Sequence, residues 1–234
     1  MRLIKNAVCA GLACFALATA ANVAQASPIT GLFGLSIYEG PGNGAIGDPN
    51  NQADATNGLL SLSGALKATG TYNGAINFAI NDPQGTLTNI GQFLATGGGV
   101  TLLDHPSVLG DQLSTTSFGN TTLFVFTGLT GGAIQGSATH DDGLSILNTD
   151  NNLYALHSPI PVASTTEPYN TIPGITHFTI YYVEANGDPA DLIIDSERNS
   201  ILGTPLPAAL PLFAGGVGLL GFFGRRRKRK IAAA

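Results

Sequence analysis

Several segments of the chain alternate apolar and polar residues with a period of two. In residues 71–81, large apolar side chains such as Tyr72 and Phe78 fall on one face, and asparagines fall on the other. Residues 176–184 alternate in the same way, with Phe178, Ile180 and Tyr182 on one face. Because alternate side chains of a strand point to opposite faces, both segments predict half-buried β-strands.

More strands are predicted along residues 27–203. Short apolar segments predict strands at residues 32–38, 123–126, 134–139, 144–147 and 191–194. Clusters of Gly, Pro, Asn and Asp separate these segments, and a short helix is predicted only at residues 58–69. Many short strands with frequent turns are typical of a mainly β protein, so we expect an antiparallel β-sandwich body.

The composition supports this fold class. The chain of 234 residues contains 31 Gly and 13 Pro, which interrupt long helices. A coiled coil, a collagen and a helical bundle are therefore excluded. Apolar residues make up 44% of the chain, enough to fill the packed core of one domain.

The first 26 residues have the three parts of a secretory signal peptide. Two basic residues lie within the first five positions, and an alanine-rich apolar stretch follows at residues 7–21. Small residues at Ala24 and Ala26 match the positions that signal peptidase reads, which predicts cleavage between Ala26 and Ser27. Both cysteines fall in this N-terminal segment, so export through the general secretion machinery would leave a body without disulfides or thiol ligands.

Near the other end, an apolar segment precedes a basic run. Residues 206–224 carry no charge and, as a helix, are just long enough to cross the hydrocarbon core of a membrane. We therefore predict a transmembrane helix over 206–224. A basic tail at 225–230 is expected to stop transfer and remain in the cytoplasm, and it consists of Arg225, Arg226, Arg227, Lys228, Arg229 and Lys230.

The same region resembles a known sorting signal. Pro205, Leu206 and Pro207 precede an apolar, glycine-rich stretch and the basic run, and this order resembles the PEP-CTERM signal of exported Gram-negative proteins. Pro-Leu-Pro stands here where the name-giving motif has Pro-Glu-Pro, and the resemblance covers residues 204–230. It implies that an exosortase, a membrane-embedded transpeptidase, is a partner. The chain would be anchored in the membrane transiently, then released at the cell surface or into the exopolysaccharide matrix of a biofilm.

The charge of the body limits its partners. Between residues 27 and 204 there are two basic residues, Lys67 and Arg198, and all fifteen acidic residues of the chain, a net charge of −13. Such a surface repels phosphate backbones, so no nucleic-acid partner is expected. It would suit divalent cations, although plain solubility also explains it.

The tetrapeptide His140-Asp141-Asp142-Gly143 is the most distinctive local motif. Asp-Gly is a favoured hairpin turn, so the motif is consistent with a simple connection between two strands. Alternatively, the adjacent carboxylates of Asp141 and Asp142 offer hard oxygen ligands to Ca²⁺. Calcium is the one cofactor that the sequence indicates.

The tetrapeptide and its neighbouring strands resemble a known sandwich. Residues 123–194 contain an aromatic strand, a polar strand, Asp-Asp-Gly and later Phe-Thr-Ile-Tyr-Tyr-Val-Glu, an order similar to the protective-antigen-type domain that is also found in fungal flocculin adhesins. In the adhesin branch of that family, two consecutive aspartates hold a calcium ion that in turn holds sugar hydroxyls. The resemblance assigns this role to Asp141 and Asp142.

Other motifs give little support to enzymatic chemistry. The chain lacks a Gly-x-Ser-x-Gly elbow and a P-loop, and its four histidines lack zinc-site spacing and are expected to be scattered on the surface. Residues 148–152 alternate oxygen ligands but lack the later residues of a calcium loop, which favours a polar turn.

The sequence therefore predicts a non-enzymatic exported surface or matrix protein. A calcium-dependent, adhesin-like module that binds extracellular polysaccharide is the alternative, and a glycan hydrolase with a spatially formed carboxylate pair also stays open.

Overall fold

The computed structural model describes residues 26–80, 88–197 and 201–202. In these residues the chain forms one α-helix, α1 (Ile90–Gly97), and thirteen strands. The strands are β1 (Ser27–Pro28), β2 (Thr30–Pro41), β3 (Leu66–Ala75), β4 (Asn77–Ile80), β5 (Gly98–Leu103), β6 (Asn120–Thr130), β7 (Ile134–Asp141), β8 (Gly143–Asn148), β9 (Leu153–Ser158), β10 (Thr165–Ile172), β11 (His177–Glu184), β12 (Ala190–Ser196) and β13 (Ile201–Leu202). Short 3-10 helices lie at Pro49–Asn51, Gly58–Leu60, Pro106–Gly110 and Thr116–Phe118.

The predicted end segments fall outside these residues. The signal peptide, sorting motif, transmembrane helix and basic tail lie in parts of the chain that the structure does not describe, apart from Ala26 and Ser27. Within the described ranges, no helix combines the length and the apolar character that a membrane span requires.

The strands form two antiparallel sheets, which confirms the predicted sandwich. The small sheet has the order β1-β12-β7-β10, with β4 also paired to β12. The large sheet has the order β5-β3-β2-β6-β11-β8-β9, with β13 paired to β6. Alternate residues of these strands are buried between the sheets, as in β11, where Phe178, Ile180 and Tyr182 are at most 1% exposed. The period-two pattern of the sequence thus identifies the core face of this strand.

Aromatic rings fill the centre of the core. Phe126 on β6 packs against Phe33, Tyr72, Phe78 and Phe124, with ring centroids between 5.8 and 6.5 Å apart. These five side chains come from both sheets and are all fully buried. The cluster therefore joins the two layers of the sandwich.

The helix predicted over residues 58–69 is largely wrong, and the strand segment predicted over 71–81 is confirmed as two strands, β3 and β4. Instead of a helix over 58–69, only Gly58–Leu60 is helical, and β3 begins at Leu66 because its backbone pairs with β2. Local helix preference is weak compared with pairing between strands. The single strand predicted over 71–81 is divided between the sheets, because the chain crosses at Ile76, whose backbone bonds to Ile29 and Ile194.

The helix α1 was not predicted. It is only eight residues long and contains Gly91 and Gly97, which weaken helical propensity. A capping box starts it: the Asn89 side chain accepts from the Gln92 backbone, and the Gln92 side chain accepts from the Asn89 backbone. The Asn-x-x-Gln spacing was the sequence feature that could have identified this helix.

Candidate functional site

The His140–Gly143 tetrapeptide connects the two sheets. β7 ends at Asp141 in the small sheet and β8 begins at Gly143 in the large sheet, and these strands do not pair with each other. The interpretation of Asp142-Gly143 as a hairpin turn is therefore wrong. The peptide bond between Asp141 and Asp142 is cis. Gly143 passes so close to the carbonyl oxygen of Pro159 that a side chain would collide with it.

Backbone N–H groups from two loops hold the paired carboxylates in place. Asp141 Oδ2 accepts a hydrogen bond from the Ser164 backbone at 2.9 Å. Asp142 Oδ2 accepts from the backbones of Ala185 at 2.7 Å and Asn186 at 3.1 Å. Asp141 is 7% exposed and Asp142 is 4% exposed. The pair is thus nearly buried and tied both to the β9–β10 loop and to the β11–β12 loop.

An open cleft of about 250 Å³ lies beside the pair. Its polar lining comes from Asp141, Asp142, Asn186 and Asp188. The remaining lining is mostly apolar and comes from four segments that are far apart in the sequence. Hence the two sequence-predicted residues face a concave surface that a small ligand can enter.

A hydrogen-bond network behind the cleft supports the pair. The Tyr182 hydroxyl lies between the Asp141 carbonyl oxygen and Glu184 Oε2, 3.1 Å from the latter. Ser114 Oγ donates to Glu184 Oε1 at 3.0 Å and accepts from the Gly187 backbone at 2.9 Å. Gly187 has a φ of 89°, a conformation that favours glycine. The network fixes the β11–β12 loop next to the carboxylates.

Sequence reasoning did not identify this network. Glu184 continues the buried face of β11 after Phe178, Ile180 and Tyr182, and it is fully buried. A charged residue at the end of an otherwise apolar face was the available signal, because buried carboxylates require hydrogen-bond partners.

The carboxylates at this site are costly to ionise. Burial, followed by the charge of Asp142, raises the pKa of Asp141 to about 7. Burial raises the pKa of Asp142 to about 6, although the Ala185 and Asn186 N–H groups oppose this. Burial and the charge of Asp142 raise the pKa of Glu184 well above its usual value. A bound cation would reduce this cost by compensating the negative charges.

In the described part of the chain, no Lys or Arg side chain contributes to the pKa shift of Asp141 or Asp142. Lys67 is the one Lys or Arg there, and its ammonium group donates to the Gly64 carbonyl. The described residues also contain no group of three or more His, Cys, Asp or Glu side chains placed to hold a metal ion. A cation at the pair would therefore need oxygens from backbone, amide or ligand groups as well, and Ca²⁺ accepts all of these.

His140 corrects the prediction that the histidines are scattered on the surface. Its side chain is fully buried, with Nδ1 2.7 Å from the Asp142 carbonyl oxygen and Nε2 3.6 Å from Glu167 Oε1. The side chains of His105, His157 and His177 are exposed, as expected. The His140 ring thus contacts the backbone of Asp142 from inside the protein.

The second candidate for a calcium loop, residues 148–152, makes hydrogen bonds within the protein instead. Residues 148–152 connect β8 to β9, and the Asp150 carboxylate accepts from the His177 backbone at 2.9 Å. Asp150 also lies 3.0 Å from the His177 ring. These contacts agree with the polar-turn interpretation.

The sequence matches no protein-family model and no curated protein. Solved structures to which the chain is similar include a PA14 sugar-binding domain from an RTX adhesin, with 17% identity over 74% of this chain and 98% of that one and a TM-score of 0.48. Another is the PA14 domain of the antifreeze protein MpAFP, with 16% identity over 78% and 95% of the two chains and a TM-score of 0.48. A third is the Epithelial Adhesin 6 A domain from Candida glabrata in complex with Galβ1-3GlcNAc. It has 15% identity over 75% of this chain and 88% of that one, and a TM-score of 0.43. At this level of similarity, the chemistry of the cleft has to follow from its own residues.

A polar row extends from the site across the large sheet. Glu39 and Glu184 both pair with Thr122, from opposite sides of β6. Burial, and next the charge of Asp111, raise the pKa of Glu39 to about 7, while Lys67 opposes the shift. The folded protein therefore holds a proton on Glu39 more tightly than the unfolded chain does.

We predict that Glu39→Gln stabilises the protein at high pH. Since the pKa of Glu39 is raised from 4.5 to about 7 on folding, the free energy of unfolding falls as the pH rises through this interval. Glutamine has the same shape but does not ionise. The substitution should therefore increase the free energy of unfolding by about 1–3 kcal/mol near pH 8 and leave it unchanged near pH 4. Denaturant unfolding at both pH values measures it, with Glu197→Gln at an exposed glutamate as the control. An equal effect at both pH values would contradict the prediction.

Proposed function

We propose that this chain is a non-enzymatic exported protein that binds a saccharide through Ca²⁺ held by Asp141 and Asp142. The observation that carries the proposal is the pair itself: two adjacent, nearly buried carboxylates at an open cleft, fixed by backbone N–H groups, with no Lys or Arg beside them in the described residues. Such a pair is stable as a charged site when a cation occupies it.

The oxygen chemistry of the cleft suits a sugar. Ca²⁺ accepts six to eight oxygen ligands in flexible geometry, so neighbouring hydroxyls of a saccharide can complete the coordination that two carboxylates begin. Asn186 and Asp188 line the same cleft and provide polar groups for other hydroxyls. A volume of about 250 Å³ suits one terminal sugar residue.

The position of the cleft suits surface display. Glu184, next to the cleft, pairs with Thr122 near the start of β6, whereas β13 pairs with Thr130 at the end of this strand. Eight residues of strand separate these points by about 26 Å. β1 likewise pairs with the far end of β12. A chain held by the segment that follows β13 would present the cleft away from its attachment.

Calcium-dependent glycan retention tests the binding proposal. The purified protein is titrated with CaCl₂ by calorimetry and then applied to immobilised glycans with Ca²⁺ or with a chelator. We expect calcium binding by the free protein and glycan retention only with Ca²⁺. Retention that persists in the chelator, or no calcium binding, would contradict the proposal.

Sorting through the PEP-CTERM-like segment is the second part of the proposal. Deletion of residues 204–234 should strongly reduce the surface-bound fraction and increase the protein in the medium, because the anchoring segment and Pro205-Leu206-Pro207 are lost. Deletion of residues 231–234 alone keeps the motif and the basic tail, and it serves as the control. Cell fractionation measures both. An unchanged surface fraction in the longer deletion would refute sorting through this segment.

A further inference from the structure

Aliphatic side chains form part of the lining of the cleft, and we call them its aliphatic wall. These are Ile46, Pro161 and Val162, which line the cleft together with Asp141 and Asp142. Ile46 is 49% exposed and Val162 is 36% exposed, so both leave large apolar surfaces in contact with water. Burying these surfaces against an apolar group of a ligand is favourable.

Hydrogen bonds hold both loops of the wall in place. In the Ile46 loop, the Gly44 backbone donates to the Phe118 carbonyl at 2.9 Å, and the Asn51 side chain donates to the Ala45 carbonyl at 2.6 Å.

The Val162 loop is held at both ends. The Ala53 backbone donates to the Pro159 carbonyl at 2.9 Å, and the Ser164 backbone donates to Asp141 Oδ2 at 2.9 Å. The Val162 loop therefore has a defined position relative to Asp141. A preorganised wall of this kind can discriminate between ligands, because little ordering cost accompanies binding.

We infer that the cleft selects a sugar residue that carries a methyl group next to its calcium-binding hydroxyls, as in a 6-deoxy or an acetylated sugar. This inference rests on the proposed function, and it names the ligand class of the same site. A methyl group would pack on Ile46 and Val162 while hydroxyls meet the cation. A hydroxymethyl group in the same place would lose its water against side chains that offer no hydrogen bond.

The composition of the wall favours a methyl group over the flat face of a sugar ring. Sugar rings pack well on broad, exposed aromatic faces, and Phe118, the aromatic residue that lines this cleft, is only partly exposed. The exposed carbons belong to branched aliphatic side chains, which form a compact surface. Such a surface matches a small apolar group.

Matched sugars test the inference. Binding of L-rhamnose is compared with that of L-mannose, and L-fucose with L-galactose, because the members of each pair differ only in the hydroxyl at carbon 6. N-acetylglucosamine is compared with glucose to test an acetyl methyl group. All titrations contain saturating CaCl₂. We expect the methyl-bearing member of at least one pair to bind about 10-fold more tightly, the range for a small apolar group in a fitted pocket.

Substitution of the wall residues tests whether their side chains cause the preference for the methyl-bearing sugar. The double substitution Ile46→Thr/Val162→Thr keeps both branches at Cβ, introduces two hydroxyls and shortens residue 46 by one methyl group, and it should bring the affinity ratio close to 1. Val162→Thr alone should lower the ratio partly. Calcium affinity should stay unchanged in both, which also shows that the variants are folded. Ile175→Thr, at an apolar residue that is 76% exposed and does not line the cleft, should leave the ratio as it is.

The outcomes separate this inference from the proposed function. Calcium-dependent binding with ratios near 1 in every pair would refute the methyl preference and leave calcium-dependent binding intact. A preference that survives in the double variant would also refute it, because the wall would not be its cause. Absence of calcium-dependent binding to any sugar would refute the proposed function itself.

Discussion

Replacement of Asp141 and Asp142 together by asparagine is expected to abolish calcium binding and the stabilisation that it brings. A ligand that binds only the folded state at 100 times its Kd adds about 2.7 kcal/mol to the free energy of unfolding. For a body of this size, that corresponds to an increase of about 5–10 °C in Tm. Thermal unfolding with and without CaCl₂ should show the increase in the wild type and none in the double variant.

The asparagine substitutions preserve the local hydrogen bonds. An amide oxygen at position 142 can still accept from the backbones of Ala185 and Asn186, so a loss of calcium binding would not reflect a loose loop. Asp195→Asn removes an acid from the other end of β12 and serves as the charge control. A calcium-induced Tm increase that persists in the double variant would remove Asp141 and Asp142 as ligands.

The same variant should respond differently to pH in the absence of calcium. The pKa values of Asp141 and Asp142 are raised to about 7 and about 6 on folding, so the folded state binds protons more tightly than the unfolded state. The wild type therefore loses stability as the pH rises from about 4 through 7. The double variant should lose less over this interval. Calcium binding by the wild type should strengthen over the same interval, because the ion requires ionised carboxylates.

Phe126→Ala is expected to destabilise the sandwich by about 3–5 kcal/mol. Phe126 is fully buried and contacts the rings of Phe33, Tyr72, Phe78 and Phe124. Its removal leaves a cavity between the two sheets that rigid strands cannot close. Denaturant unfolding should show a lower midpoint with an unchanged slope.

Truncation of an exposed apolar side chain serves as the control for Phe126→Ala. Leu66→Ala removes an apolar side chain that is 49% exposed at the start of β3, and it should cost less than about 1 kcal/mol. A similar loss in both variants would contradict the central role of the aromatic cluster.

Strands with one buried face could be predicted because their signal is local. In β11, each side chain alternates between the core and the opposite face of the sheet, so Phe178, Ile180 and Tyr182 reveal the buried face without knowledge of any partner. The paired acids at Asp141 and Asp142 were recognisable for a similar reason, since they are adjacent in the chain. The fold class and the central residues of the candidate site were therefore accessible from the order of residues.

Sheet membership and the shape of the cleft depend on contacts between distant residues. The chain changes sheets at Ile76 and again at Asp142, and a period-two pattern contains no information about which sheet a strand joins. The cleft brings Ile46, Val162 and Asn186 together from three separate loops. The burial of His140 likewise follows from packing. Local alternation and neighbouring charges predicted the strands and the candidate calcium ligands, whereas the folded arrangement of loops formed the surface that a bound molecule would meet.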